Sequence, residues 1–268
     1  MPPVRNGYAC ERYTFGDSPV EARRLAVVQE VFGPSSRALL GTVANRPPTL
    51  AYDLGCGRGL TTRMVSDVSG AAHVIGLDRS EAFLARAWDE AGEGVSFQAW
   101  DVTRVPFPAG AAELIYARLV LAHVLDPAAV ARSWGTQLSA GGALVLDEIE
   151  SIETTNQVLS AHLDLATRQV AATGAVMCAG PLLADLGAGA GIRPRLRQLA
   201  EVAVPTSQAA EMFAASLESW GTEAVAAGLC SKAYLTELAG SMLDLRTSTA
   251  SGEIHWVLHQ AVYDRHAA

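Results

Sequence analysis

The sequence reads as an α/β protein, an open and mostly parallel seven-stranded sheet with helices on both faces. Three observations predict this. Between residue 49 and about 150, short apolar runs alternate with segments of helical periodicity, the pattern of successive crossover units. The first run closes in a glycine-rich turn, Asp53-Leu54-Gly55-Cys56-Gly57-Arg58-Gly59. The next, Val74-Ile75-Gly76-Leu77-Asp78, ends like the first on an acidic residue.

Each element follows from local chemistry. Ser18-Pro19-Val20-Glu21 has the form of a capping box with proline at the first helical position, and Leu25, Val28 and Phe32 recur at helical spacing, so a helix is expected over 18–32. Gly33-Pro34 should break it, with a second helix over 35–43. Arg46-Pro47-Pro48 then enters the sheet, so residues 1–48 read as an N-terminal helical cap and 49–268 as the α/β domain. Strands are expected at 50–54, 73–77, 95–99, 112–117 and 143–148, and helices at 59–69, 80–91 and 126–139, the last introduced by Asp126-Pro127. Right-handed crossovers bring the carboxyl ends of these strands to one edge, where open sheets bind ligands. Beyond 150 the alternation breaks. A helix over 154–176 and a short one at 181–187 form an expected helical insertion (151–190) above that edge. A strand at 193–203, helices at 206–227 and 231–245, and a closing strand over Ile254–Tyr263 complete the chain.

Bulk properties narrow the function. The chain has 268 residues, 50% of them hydrophobic and 18% charged, enough for one good core with appendages. A net charge of −8 without a basic stripe argues against nucleic acid as a partner, because such binding rests on clustered cations. Cys10, Cys56, Cys178 and Cys230 are scattered and form no CxxC, and no leader-like segment opens the sequence, so a reduced cytoplasmic setting is expected. The Ala/Gly-rich stretch Val170–Ile192 is too poor in large aliphatics to span a membrane, and no compact His, Cys or carboxylate spacing points to a metal. No feature sets an oligomeric state.

The glycine turn and the two acidic strand ends describe a nucleoside-binding site. Glycines let backbone approach a ligand where a side chain would collide, and a carboxylate at Asp78 can accept two ribose hydroxyls. A dinucleotide fingerprint needs G-x-G-x-x-G/A, and here the third glycine comes one residue early with Leu60 in its place. The run Asp53–Gly59 instead resembles the first motif of class I S-adenosylmethionine-dependent methyltransferases, which share a Rossmann-like fold.

That resemblance implies S-adenosylmethionine as cofactor. Asp53, Gly55, Cys56, Gly57 and Gly59 would lie at its amino-acid moiety, Asp78 at the ribose and Arg79 beside the adenine. Asp101 and Val102, at the end of the third strand, would meet the adenine edge. Arg118 takes a contact position beneath the sulfonium, and its side chain need not take part. Gly16-Asp17-Ser18 and the Arg24-Leu25 pair resemble a cap found in bacterial relatives, where Arg24 would pair with the methionine carboxylate. Several of these residues have plainer alternatives: Asp78 as a partner of the helix start at Ser80, and Arg24 and Arg79 as solvated cations.

For catalysis the candidates are His123, which titrates near neutral pH in its unperturbed state, and Glu148 with Glu150, which strand alternation puts on one face. Tyr8, Tyr13 and Phe15 are candidates to stack on a substrate. The expected function is methyl transfer to a small-molecule acceptor, a metabolite or natural-product intermediate in a bacterium, at C, N or O. The rivals are a nicotinamide-dependent oxidoreductase and a non-catalytic S-adenosylmethionine-binding protein.

Overall fold

The computed structural model describes residues 16–184, 186–187, 191–248 and 252–266. In chain order the elements are α1 (Pro19–Gly41), β1 (Leu50–Leu54), α2 (Leu60–Ser69), β2 (His73–Asp78), α3 (Glu81–Asp89), β3 (Val95–Ala99) and β4 (Ala112–Arg118). They continue with α4 (Pro127–Gly135), β5 (Leu138–Thr154), α5 (Gln157–Ala172), β6 (Ile192–Pro205), α6 (Thr206–Ala226), α7 (Lys232–Thr247) and β7 (Glu253–Arg265). The seven strands form one sheet in the order β3-β2-β1-β4-β5-β7-β6. The first five run parallel, and β7 lies antiparallel between β5 and β6. This is the seven-stranded Rossmann-like sheet expected.

Parallel strands covered on both faces read as continuous apolar runs. In β1 the residues Ala51, Tyr52 and Leu54 are all fully buried, between a core holding Trp134 and Tyr263 on one side and Leu39, Leu40 and Met64 on the other. Register places Asp53 beside Gly76 and Tyr116, and Arg118 beside Asp147. The polar strand ends thus gather on one edge.

Helix α1 departs from the expected pair. It begins as the sequence suggests, with Pro19 in the first turn and Ser18 Oγ accepting from the Glu21 N–H at 3.2 Å, but it runs unbroken through Gly33-Pro34. An interior proline costs a helix about 3 kcal/mol. Here tertiary contacts offset that: Leu39 and Leu40 are fully buried, at roughly 1.5–3 kcal/mol each. Ser36 Oγ donates to Asp147 Oδ2 at 2.6 Å, and Ser35 Oγ accepts from Gln260 Nε2 at 3.0 Å. The second half of the helix is bolted to the sheet by partners more than a hundred residues away in sequence.

Strand β5 is also longer than expected. It continues to Thr154 because β7 pairs with it along its whole outer part, and the register shifts between Ile149 and Ser151, a bulge centred on Glu150. Asn156 then caps α5, its side chain accepting from the N–H groups of Val158 and Leu159. In place of the short helix at 181–187 there is a 3-10 turn at Gly180–Leu183. Helices α6 and α7 link β6 to β7, and α6 packs against α1 and α5, so a second helical core forms above the sheet edge around Phe32, Phe213, Trp220 and Trp256. Among the described residues no helix is long and apolar enough to cross a membrane.

Candidate functional site

The glycine loop joins β1 to α2. The N–H groups of Gly55 and Cys56 both donate to Leu77 O, at 2.7 and 3.1 Å, which ties the loop to the end of β2. Gly55, Gly57 and Gly59 all have positive φ, at 65°, 52° and 80°. Two of them are also packing glycines. A Cβ on Gly55 would lie 2.5 Å from Val120 Cγ2, and one on Gly59 would lie 2.6 Å from Phe97. At Gly57 the nearest atom would be Leu25 at 3.4 Å, so that glycine leaves room on the cavity side. Cys56 is buried, and burial pushes its thiol well up.

Asp53 lies behind this loop and not among the residues that line the cavity. Its Oδ2 accepts from Thr61 Oγ1 and Thr62 Oγ1, both at 2.7 Å, and burial raises its pKa to about 6 against the pull of those hydroxyls and of Arg118. The described contacts therefore make Asp53 a brace for the first turn of α2.

Asp78 stands on the cavity wall with its carboxylate oriented by two backbone donors, Gly57 N–H to Oδ2 and Ser80 N–H to Oδ1, each at 2.8 Å. Burial raises its pKa. Each carboxylate oxygen has a second acceptor site, so two vicinal hydroxyls still fit. The plainer role at the helix start is real too: Ser80 is the cap of α3, and Asp78 holds it. Asp101 folds back on its own turn, Oδ1 accepting from Thr103 N–H at 2.9 Å and Thr103 Oγ1 at 2.7 Å. Val102 follows it on the wall, its carbonyl taken by Trp134 Nε1 at 2.8 Å. A backbone cradle, a diol-accepting carboxylate and an Asp-Val edge are the groups that S-adenosylmethionine needs, and the residues present fit it.

The arginines on the wall are already engaged. Arg24 is gripped by Glu21, a fully buried carboxylate, with its closest approach at 2.6 Å. Arg118 donates to Gln29 Oε1 at 2.7 Å and Ser36 Oγ at 3.3 Å. Arg79 is exposed at the cavity mouth.

The cavity holds about 700 Å³ and runs from the glycine loop into a deep lobe between α1, α5, α6 and the outer parts of β5 and β7. At its waist Leu119 has φ 55°, a strained conformation for a branched residue, and its N–H donates to Asp147 O at 3.0 Å. Glu148 and His123 both reach the wall there. Glu148 Oε1 accepts the N–H groups of Val120 and Leu121 at 2.8 and 2.9 Å, Oε2 is sealed without a hydrogen-bond partner among the described residues, and burial pushes its pKa up to about 8. His123 goes the opposite way. Burial, with Arg24 and Arg79 nearby, lowers it to about 3, which corrects the expectation of a histidine titrating near neutrality.

The two glutamates do not act together. The bulge turns Glu150 away from the cavity to His259, whose Nδ1 lies 3.0 Å from Glu150 Oε2. Tyr8, Tyr13 and Phe15 lie outside the described residues. What sequence reasoning missed is the far wall: His162 on α5, Met212 and Phe213 on α6, and Trp256 on β7. The available signal was two helices inserted between the sixth and seventh strands, where a short hairpin would suffice.

Residues 52–146 match the family model described as a methyltransferase domain. The trans-aconitate 2-methyltransferase of Agrobacterium fabrum is 30% identical over 123 residues, covering 46% of this chain and 47% of that one. The nocamycin O-methyltransferase of Saccharothrix syringae is 32% identical over 122 residues, covering 44% of each. The chain spans about half the length of the curated relatives it matches. A Bacillus halodurans protein provisionally assigned as a methyltransferase shares the fold, with a TM-score of 0.58 at 14% identity over 87% of this chain and 99% of that one. Over residues 52–146 the chain is thus similar in sequence to methyltransferase domains, and its fold is one that a methyltransferase-like structure shares.

Proposed function

We propose that the protein transfers a methyl group from S-adenosylmethionine to a small-molecule acceptor, a metabolite or natural-product intermediate. One observation carries this: a single cavity joins the glycine loop and Asp78 to a lobe lined by the added helices. When bound, S-adenosylmethionine supplies a methyl group already activated on a sulfonium. The names of the matched relatives, which act on trans-aconitate and on nocamycin, support a small acceptor. A cytoplasmic setting fits the unpaired Cys56, Cys178 and Cys230.

The chain's own groups bind, orient and dehydrate. The loop backbone and Asp78 fix one end of the cofactor, Asp101 and Val102 fix the other, and the lobe holds an acceptor in line with water excluded. No strong base stands at the waist among the described residues. Glu148 is buried and keeps its proton at neutral pH, and His123 is neutral and weakly basic. Alignment, more than proton abstraction, is the contribution that these groups support.

The test is incubation with methyl-labelled S-adenosylmethionine and a metabolite panel, beside calorimetric titrations with S-adenosylhomocysteine and NADH. Label transfer with tight S-adenosylhomocysteine binding is expected. Tight NADH binding would favour the oxidoreductase, and S-adenosylhomocysteine binding with no transfer would favour the non-catalytic binder.

A further inference from the structure

The deep lobe has a chemistry of its own. Its walls are ring faces and edges: Phe32 meets Trp256 edge-on at 5.7 Å and 82°, and Phe213 meets Trp256 at 6.0 Å and 64°. Met177 and Met212 add polarisable sulfur. Such walls suit a planar guest.

Charge points the same way. Of the arginines that reach the cavity, Arg58, Arg79 and Arg118 belong to the glycine loop and the ends of β2 and β4, and Arg24, on α1, is paired with the buried carboxylate of Glu21. Among the described lining residues, the stretch from Glu148 onward brings no lysine or arginine, and its acidic side chains are Glu148 and Glu223. With Arg24 already committed to Glu21, a guest carrying several carboxylates would lose its water there with little compensation, which costs several kcal/mol per ion as an order of magnitude.

One polar side chain interrupts the apolar wall. His162 is 2% exposed and stacks on Phe213 at 4.1 Å and 20°. Burial and the charge of Arg24 lower its pKa to about 3, so the ring is neutral. Its Nδ1 is sealed and has no hydrogen-bond partner among the described residues, yet the side chain reaches the cavity wall, which leaves Nε2 for a ligand. A buried polar side chain without partners is rare and calls for a reason.

We infer that the deep lobe takes a flat, apolar, uncharged ring system and reads one hydroxyl on it through His162, so that a polycarboxylate such as trans-aconitate is not the acceptor. A hydroxyl both donates and accepts, so it satisfies either tautomer of the imidazole. This rests on the methyltransferase reading for the neighbouring half of the cavity.

The probes are 2-naphthol, naphthalene, 2-methoxynaphthalene and trans-aconitate, each titrated calorimetrically with and without saturating S-adenosylhomocysteine. Wild-type protein should bind 2-naphthol about 3- to 10-fold tighter than naphthalene or its methyl ether, the scale of one net hydrogen bond, and trans-aconitate more weakly than any of them. His162→Phe should bind 2-naphthol and naphthalene alike. Equal wild-type affinity for 2-naphthol and 2-methoxynaphthalene, or tighter binding of trans-aconitate, would overturn the inference even if the variant fails to fold. The S-adenosylhomocysteine titration alone tests the methyltransferase reading, so the two failures are distinguishable.

Discussion

Replacing Glu148 by glutamine isolates one buried carboxyl and should change the pH dependence of stability in a defined direction. In the folded protein Glu148 titrates at about 8 in place of the ordinary 4.5, because burial penalises its charged form more than the N–H groups of Val120 and Leu121 favour it. The folded state therefore holds this proton at pH values where the unfolded chain has released it. The stability linked to the proton is fully present below pH 4.5, declines as pH rises, and is gone above about 8. At about 1.4 kcal/mol per tenfold change, the loss between pH 5.5 and 8.5 is on the order of 3 kcal/mol. Glu148→Gln keeps a carbonyl oxygen for the same two N–H donors and does not titrate. Urea denaturation of both proteins across that range should show the variant gaining on the wild type by roughly that amount as pH rises. A constant difference between them, or a variant that loses ground at pH 8.5, would refute the assignment of a protonated Glu148.

Asp78→Ala should weaken S-adenosylhomocysteine binding by about 1–3 kcal/mol in calorimetry, and unchanged affinity would remove Asp78 from the site. With His123 lowered to about 3, the rate should show no break near pH 6.5, and His123→Ala should cost less than about 10-fold in kcat. A loss on the order of 100-fold with a titration near neutrality would restore it as a base. Gly55→Ala meets Val120 at 2.5 Å, whereas Gly57→Ala meets only Leu25 at 3.4 Å, and both glycines carry positive φ. Both should lose the roughly 1–2 kcal/mol of a left-handed residue, and Gly55→Ala about 1–3 kcal/mol more for overpacking. Equal losses in urea denaturation would contradict the packing argument.

The parallel half of the sheet was legible because strands buried on both faces read as apolar runs, as Leu50–Tyr52 and Leu114–Ala117 do. The loop was legible for a related reason: three left-handed positions in five residues admit little but glycine. What could not be read depends on long-range partners. Nothing near Gly33-Pro34 announces that Asp147 and Gln260 will hold the next turn of α1 in place. Alternation along β5 suggested a Glu148–Glu150 pair, and the bulge set by pairing with β7 separates them. The helical character of α6 and α7 shows in their spacing, but their packing over the cavity does not, so Phe213 and Trp256 went unseen. Burial decides the titration of His123 and Glu148, and burial is a property of the assembled fold.

On the proposed function, one cavity seats the cofactor at the glycine loop and points its reactive end into the added lobe. A crystal structure with S-adenosylhomocysteine tests it most directly. Ribose hydroxyls are expected on Asp78, adenine against Asp101 and Val102, and the sulfur facing the lobe that His162 and Phe213 line. Adenine seated in that lobe, or a ligand bound away from Gly57 and Asp78, would contradict it.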